Sequence, residues 1–362
     1  MILCRDCRRP YPSQEIPHRC LQCGGMYDYQ REPRFFPGEI KPDLPGIWRY
    51  RHTFSLAEKA PAVSLGEGQT PLIWAPVGGK QVGFKLEFTN PTGSFKDRGT
   101  AVLVSFLISR GVDRAVEDSS GNAGASFAAY AASQDIQAEV YVPAYASGPK
   151  REQIDRYGAR VHEVPGPRSR AAEEVVQAAQ GGAVYASHAY LPHGLRGMAT
   201  IAYELWEELG EAPGSILLPV GHGSLLLGVD QGFRALRQAG LISGLPRLIG
   251  VQSGACAPLA EAFQRGLDQP LPVEERETLA EGIRIAVPYR GPEVLTAVRE
   301  SAGQLLMAGE REIRTGREQL SRLGFDVELT SGVVWDAARR VLGQVPDPVV
   351  VILTGHGLKD AC

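Results

Sequence analysis

From about residue 63 onward the sequence alternates short apolar runs with stretches of helical period, and few architectures accept that pattern. RAVEDSS (114–120) reads as a strand running into a turn, AGASFAAYAAS (123–133) as a small-residue helix and AEVYVP (138–143) as a strand. KREQIDRYG (150–158) reads as a helix closed by Gly158, ARVHEVP (159–165) as a strand and AAEEVVQAAQ (171–180) as a helix. AVYASH (183–188) is extended, and GMATIAYELWEELG (197–210) reads as one long amphipathic helix. SILLPVG (215–221), RLIGVQ (247–252) and PVVVILTG (348–355) have the continuous apolar character of strands buried on both faces. The implied class is α/β, with doubly wound parallel or mixed sheets covered by helices on both faces. Ligands in such folds bind where strand ends lead into helices. The stretch 269–281 reads as a polar surface connection.

Three glycine-rich loops stand at those strand ends. SSGNAGAS (119–126) places two serines and an asparagine beside bare backbone, a combination suited to a carboxylate or a ring hydroxyl. PVGHGSLLLG (219–228) offers Gly221, Gly223 and Ser224, whose N–H groups could wrap a phosphate. It lacks the GK[ST] ending of a P-loop and does not match GxGxxG. A tight strand-to-helix turn is the plainer reading of any one such loop. In LTGHGLKD (353–360), Thr354 ends a strand and can serve as a neutral hydrogen-bond partner.

KLEFTNPTGSFKDRG (85–99) then puts Lys96 where a glycine turn meets an apolar helical run. A helix start carries partial positive charge, so it disfavours the ammonium form and favours a neutral, nucleophilic amine. A lysine paired with Asp97 is the structural alternative. Together with the loops, Lys96 completes the parts needed to hold a phosphorylated aldehyde cofactor as a Schiff base.

Six cysteines are present, four of them in two CxxC pairs: Cys4, Cys7, Cys20 and Cys23, with twelve residues between the pairs. That spacing suits a tetrahedral zinc ribbon, and Gly24 and Gly25 supply the positive φ that a knuckle needs. Four protein ligands leave no open position, so such a zinc is structural. Cys256 and Cys362 lie far off in sequence. The ribbon spans 1–32, a proline-rich connector 33–62, and a catalytic region 63–362 holds two α/β subdomains, the smaller at roughly 98–190. Net charge is −3, with no basic tract to attract nucleic acid or an acidic membrane. No apolar stretch has the length of a membrane span or the pattern of a signal peptide, which leads us to expect a cytoplasmic protein.

PTGSFKDRG resembles the cofactor-lysine motif of fold-type II pyridoxal-phosphate enzymes, and of the threonine synthase family in particular. GEGQTPL (66–72), SSGNAGAS and LTGHGLKD are similar to threonine synthase segments in the same order, and the four-cysteine ribbon resembles one carried by many members. The resemblance covers nearly the whole chain. It implies the fold-type II architecture and pyridoxal 5′-phosphate held covalently by Lys96, which then shuttles protons. It implies Phe95 beside the cofactor ring and Asn122 on the ring hydroxyl. Gly221, His222, Gly223, Ser224 and Leu225 would hold the phosphate, and Thr354 would face the pyridine nitrogen. Ser119, Ser120 and Ala123 would lie near the substrate carboxylate. The implied reaction turns O-phosphohomoserine and water into threonine and phosphate, in a homodimer acting on a small amino-acid substrate.

Two departures bear on that substrate. The phosphate loop reads GHGSLLLG where many members have GNxGN. The family stretch NPxRxxGxKT, which supplies cations to the substrate, aligns on Pro192 and Thr200, so its arginine becomes Gly194 and its lysine Ala199. Arg196 falls between them as the candidate replacement, with Lys85, Lys150, Arg151 and Arg156 as further cations. AEGIRI (280–285) is also similar to threonine dehydratases. β-Elimination from threonine or serine, or a β-replacement such as cysteate formation, is therefore the alternative. His188, His193 and His222 read as structural.

Overall fold

The computed structural model describes residues 1–166 and 168–360, in two compact units. Unit one comprises 1–67 and 96–197, and unit two comprises 68–95 and 198–360. In chain order, β1 (Ile2–Cys4), β2 (Tyr27–Tyr29), β3 (Leu72–Val77) and β4 (Lys80–Leu86) precede α1 (Lys96–Ser109) and β5 (Arg114–Glu117). Next come α2 (Asn122–Ala132), β6 (Gln137–Pro143), α3 (Pro149–Arg156), β7 (Arg160–Val164), α4 (Arg168–Gln180) and β8 (Val184–Tyr185). They are followed by α5 (His193–Met198), α6 (Thr200–Leu209), β9 (Ser215–Pro219), α7 (Ser224–Gln238), β10 (Arg247–Ser253) and α8 (Pro258–Gln264). The last elements are α9 (Gly291–Glu300), β11 (Gln304–Ala308), α10 (Glu310–Arg322), α11 (Leu329–Val341) and β12 (Val349–Leu353).

Unit one is built on an all-parallel sheet, in the order β7-β6-β5-β8, with β1 and β2 as a separate antiparallel pair. Helix α1 is apolar on almost every side and is buried from Asp97 to Leu107. Its neighbours approach closely because they present small residues. A Cβ on Gly197 would overlap the carbonyl oxygen of Arg98, so only glycine lets α5 lie against α1 there. Trp48 is fully buried, its indole Nε1 donating to the Val63 carbonyl at 2.9 Å.

Unit two carries a six-stranded mixed sheet, β11-β10-β9-β12-β4-β3, parallel throughout except for the β3–β4 hairpin. All five residues of β9 and all five of β12 are buried, as expected for strands covered on both faces. Strand β9 pairs with β10 on one side and β12 on the other, so the loops that leave the carboxyl ends of β9 and β12 are neighbours. This is the α/β fold-type II arrangement.

Several elements differ from the expectation. The stretch 197–210 is not one helix: α5 ends at Met198, and α6 restarts through a tight bond from Ala202 N–H to Ala199 O at 3.0 Å. The β3–β4 hairpin and β11 add strands beyond those the apolar runs single out; β11, QLLMA, is apolar but too short to be told from a buried helix segment. β3 is an edge strand with a proline, Pro76, and with Ile73 and Trp74 exposed, which hides its period. Among the described residues, no helix is long and apolar enough to cross a membrane.

Candidate functional site

In unit one, Lys96 is the first residue of α1 and is half-buried. The turn that carries it is tied to α2. Thr100 Oγ1 donates to the Lys96 carbonyl at 3.0 Å, and Ser126 Oγ lies 2.8 Å from Thr100 Oγ1 and 2.6 Å from Asp97 Oδ1. Helix α2 opens at Asn122, so these bonds fix the helix of Lys96 against the helix of Asn122. The loop before it folds back tightly. Gly121 N–H donates to Ser119 Oγ at 3.2 Å, and a Cβ on Gly124 would collide with the Ser119 carbonyl oxygen. Ser119 and Ala123 are buried, while Ser120 and Asn122 are half-buried. Beneath them, Tyr130 OH donates to Glu67 Oε2 at 2.7 Å, and burial raises the Glu67 carboxyl above its usual range. Glu67 lies in GEGQTPL, a motif that carried no residue-level expectation.

In unit two, the loop after β9 reaches α7 through Gly223, at φ +91°. A side chain there would run into Val294, and a Cβ on Gly221 would sit 3.2 Å from the Ile283 Cα. The helix start has no side-chain cap, and Ser224 Oγ is buried with no hydrogen-bond partner. A buried hydroxyl left unsatisfied at an uncapped helix start has the donor chemistry a phosphate needs. Leu225 follows it in the first turn, buried. The His222 ring stacks on Tyr289 with centroids 5.1 Å apart.

The PTGSF turn and the LTGHG loop meet in the same unit. Phe95 N–H donates to the Thr354 carbonyl at 3.0 Å, His356 N–H donates to the Gly93 carbonyl at 3.0 Å, and Ser94 bridges Gly355. Thr354 is buried, its Oγ1 2.9 Å from Ser331 Oγ, and Ser331 Oγ also accepts from the Thr354 N–H at 3.0 Å. Ser331 escaped the sequence reading. It sits in the first turn of α11, far from any glycine loop, and no local signal marks it. An uncapped phosphate loop, a buried neutral hydroxyl and a lysine at a helix start all suit pyridoxal phosphate.

The cations expected near a substrate phosphate are largely engaged. Lys85 is buried in an ion pair with Glu204 at 2.8 Å and donates to the Thr70 carbonyl at 2.6 Å. Arg151 bonds Asp155 and Glu163, and Arg156 bonds Glu152 at 3.0 Å. Arg196 is buried, lies over the Tyr29 ring at 3.9 Å and donates through Nη2 to the Arg31 carbonyl at 2.6 Å. Gly194 faces the backbone of Gly99, where even a Cβ would come within 3.4 Å of its carbonyl oxygen. His188 pairs with Glu117 at 2.9 Å, and His193 stacks on Phe106 at 3.6 Å.

At the N-terminus of unit one the thiols of Cys4, Cys7, Cys20 and Cys23 all lie within 4.8 Å of one another. Cys4 and Cys23 are 3.5 Å apart, and Cys7 and Cys20 3.6 Å. The edge of a zinc-thiolate tetrahedron is about 3.7 Å, so the donor set fits a structural zinc. The knuckle after Cys20 uses Gly24 at φ +73°. Gly25 is needed for space and not for φ, because a Cβ there would strike Asp6. Cys256 is buried and unpaired; Cys362 lies outside the described residues.

A lysine-bearing helix start in unit one and, in unit two, a phosphate-type loop at the end of a parallel strand are each parts of a cofactor-dependent α/β enzyme. The chain belongs to the pyridoxal-phosphate dependent enzyme family, which matches residues 63–355, and it is a lyase. It is 33% identical to threonine synthase of Methanocaldococcus jannaschii, over 99% of this chain and 92% of that one. It is also 33% identical to threonine synthase of Synechocystis sp., over 87% and 83% of the two chains. Among solved structures it is similar to a threonine deaminase from T.th., at 26% identity and a TM-score of 0.68, over 81% of this chain and 94% of that one. It shares the fold of the processed form of threonine deaminase isoform 2 from Solanum lycopersicum, at 19% identity and a TM-score of 0.72, over 98% and 96%.

Proposed function

We propose that this protein converts O-phosphohomoserine and water to threonine and phosphate. The observation that carries this reading is the 33% identity to a threonine synthase along 99% of the chain, the four-cysteine segment included. Bound pyridoxal phosphate supplies an electron sink for carbanions next to the amino group. Lys96 Nζ is assigned to hold it, with Phe95 beside its ring, Asn122 at its hydroxyl, Thr354 at its ring nitrogen and the loop 221–225 at its phosphate. Lys96 Nζ, as a free amine, would take the proton from the substrate α carbon and move protons between carbons. Phosphate leaves from the γ carbon and water adds at the β carbon. Ser119, Ser120 and Ala123 orient the substrate carboxylate. The ribbon (1–32) carries structural zinc, the connector (33–62) follows, and the catalytic region (63–362) acts as a cytoplasmic homodimer.

A second reading keeps the cofactor and changes the reaction to elimination from threonine or serine, or to β-replacement. It rests on Gly194 and Ala199, which stand where the family has two cations, and on the engagement of Lys85 and Arg151 elsewhere. An end-point assay on cofactor-loaded protein decides between them, with O-phosphohomoserine, O-phosphoserine, threonine and serine offered separately. Threonine and phosphate from O-phosphohomoserine would establish the first reading. Ammonia from threonine or serine, with O-phosphohomoserine untouched, would replace it with the second.

A further inference from the structure

The ribbon side of unit one contains a cavity of about 420 Å³ whose lining includes, of the residues expected at cofactor or substrate, Arg196 alone. Arg31, Arg34, Arg196 and His52 line it, together with Tyr29 and one carboxylate, Glu32. Three guanidinium groups against a single carboxylate leave the wall net positive.

One of these side chains also holds buried donors without acceptors. Arg196 is 1% exposed, and although Nη2 bonds the Arg31 carbonyl, Nε and Nη1 have no partner. A guanidinium offers five N–H bonds and accepts none, so only an acceptor can satisfy these two atoms. His52 Nε2 accepts from the Phe36 N–H at 3.3 Å, which in the neutral ring places the proton on Nδ1. Nδ1 is buried, and the ring is met there by the Glu39 backbone. Leaving donors such as those of Arg196 unsatisfied costs on the order of 1–3 kcal/mol each, and more for a charged group. Folded proteins rarely retain that cost without a ligand or water to meet it.

We infer that this cavity is a binding site for a small oxyanion, a phosphate monoester or a carboxylate, and that Arg196, the cation expected at the substrate, serves this site instead. The oxyanion faces Arg196 at the buried end, while Arg31 and Arg34 close over it from the exposed end. The inference does not depend on which reaction the enzyme performs. Arg196 belongs to α5, whose Gly197 packs on the carbonyl of Arg98 in α1. An anion here would thus brace the helix lying against the one that begins at Lys96.

The test is calorimetric titration of the cofactor-loaded protein with inorganic phosphate, and separately with malonate, at constant ionic strength. The wild type is compared with Arg31→Gln/Arg34→Gln, a double variant of two exposed side chains with no part in the cofactor or substrate assignments. The wild type should bind one more phosphate or malonate per chain than the double variant, or bind it at least tenfold more tightly. Cofactor absorbance should be the same in both, which shows that the variant is folded. Phosphate taken at the cofactor or product position would remain in the variant and cancel in the comparison. Malonate binding as well as phosphate would mark a carboxylate ligand, and phosphate alone a phosphate monoester. Equal stoichiometry and affinity in wild type and variant would overturn the site. Arg34→Gln alone serves if the double variant loses its cofactor absorbance.

Discussion

The chemistry available at Thr354 depends on where its own proton points. Ser331 Oγ accepts from two backbone N–H groups, Thr354 at 3.0 Å and Gly355 at 3.4 Å, which occupy its lone pairs. Its own proton is then donated to Thr354 Oγ1 at 2.9 Å, and the Thr354 proton is left to donate elsewhere. A hydroxyl can donate to a ring nitrogen but cannot keep it protonated as a carboxylate would, which suits elimination and replacement better than transamination. Ser331→Ala should therefore leave the fold intact, weaken cofactor binding by about five- to tenfold, the equivalent of about one hydrogen bond, and alter the visible band. An unchanged band and affinity would detach Ser331 from the cofactor. Lys96→Ala should abolish the visible absorbance of lysine-bound cofactor in a protein that stays folded, because Thr100 and Ser126 hold that helix turn to its neighbour. Persistent absorbance would remove Lys96 from its role.

At the scale of elements, the loop from β9 to α7 depends on Gly223 for both conformation and space. An alanine at φ +91° is strained, and its methyl group would enter the volume of Val294. Gly223→Ala should cost about 1–3 kcal/mol of local strain and let the cofactor wash out during dialysis, while the far-ultraviolet circular dichroism stays native. Full retention of cofactor would mean that this loop does not hold it. The sequence carries the glycines of this loop openly because backbone conformation demands that residue type. It also shows β9 and β12 openly, since strands buried on both faces read as unbroken apolar runs. Other features arise only from tertiary contact. Nothing near Ser331 reveals that it meets Thr354, and the break between α5 and α6 lies in a stretch whose period is continuous. Arg196 was legible as a cation, but its direction was not. It lies over Tyr29, more than 160 positions back along the chain, so proximity to Pro192 and Thr200 in sequence was a poor guide to what it faces.

For the molecule as a whole, the segment 1–30 poses the clearest stability question. Its own core is Cys4, Cys20 and Tyr27, with Ile2 and Tyr11 packed against them, too little apolar surface to fold unaided. Within unit one it is attached by Arg110 to the Pro12 carbonyl, by Arg19 to the Tyr190 hydroxyl at 3.2 Å, and by Tyr11 edge-on to His193 at 5.9 Å. His193 makes that attachment sensitive to acid. Burial lowers its imidazole from 6.5 to about 3, so the unfolded chain binds one more proton between those values. Its contribution is complete above pH 6.5 and falls by about 1.4 kcal/mol for each unit below it. His193→Phe should make the melting temperature fall less steeply from pH 6 to pH 4.5 than in the wild type; parallel curves would exclude His193 as the source. Metal is the other support. Substituting Cys4 and Cys20 by serine should release bound zinc and open residues 1–30 to proteolysis. The cofactor band and most of the activity should persist, since no cysteine of the ribbon is assigned to cofactor or substrate. Complete loss of activity in a still-folded protein would mean that the ribbon, through Tyr29, Arg196 and α5, holds the helix of Lys96 in its working position.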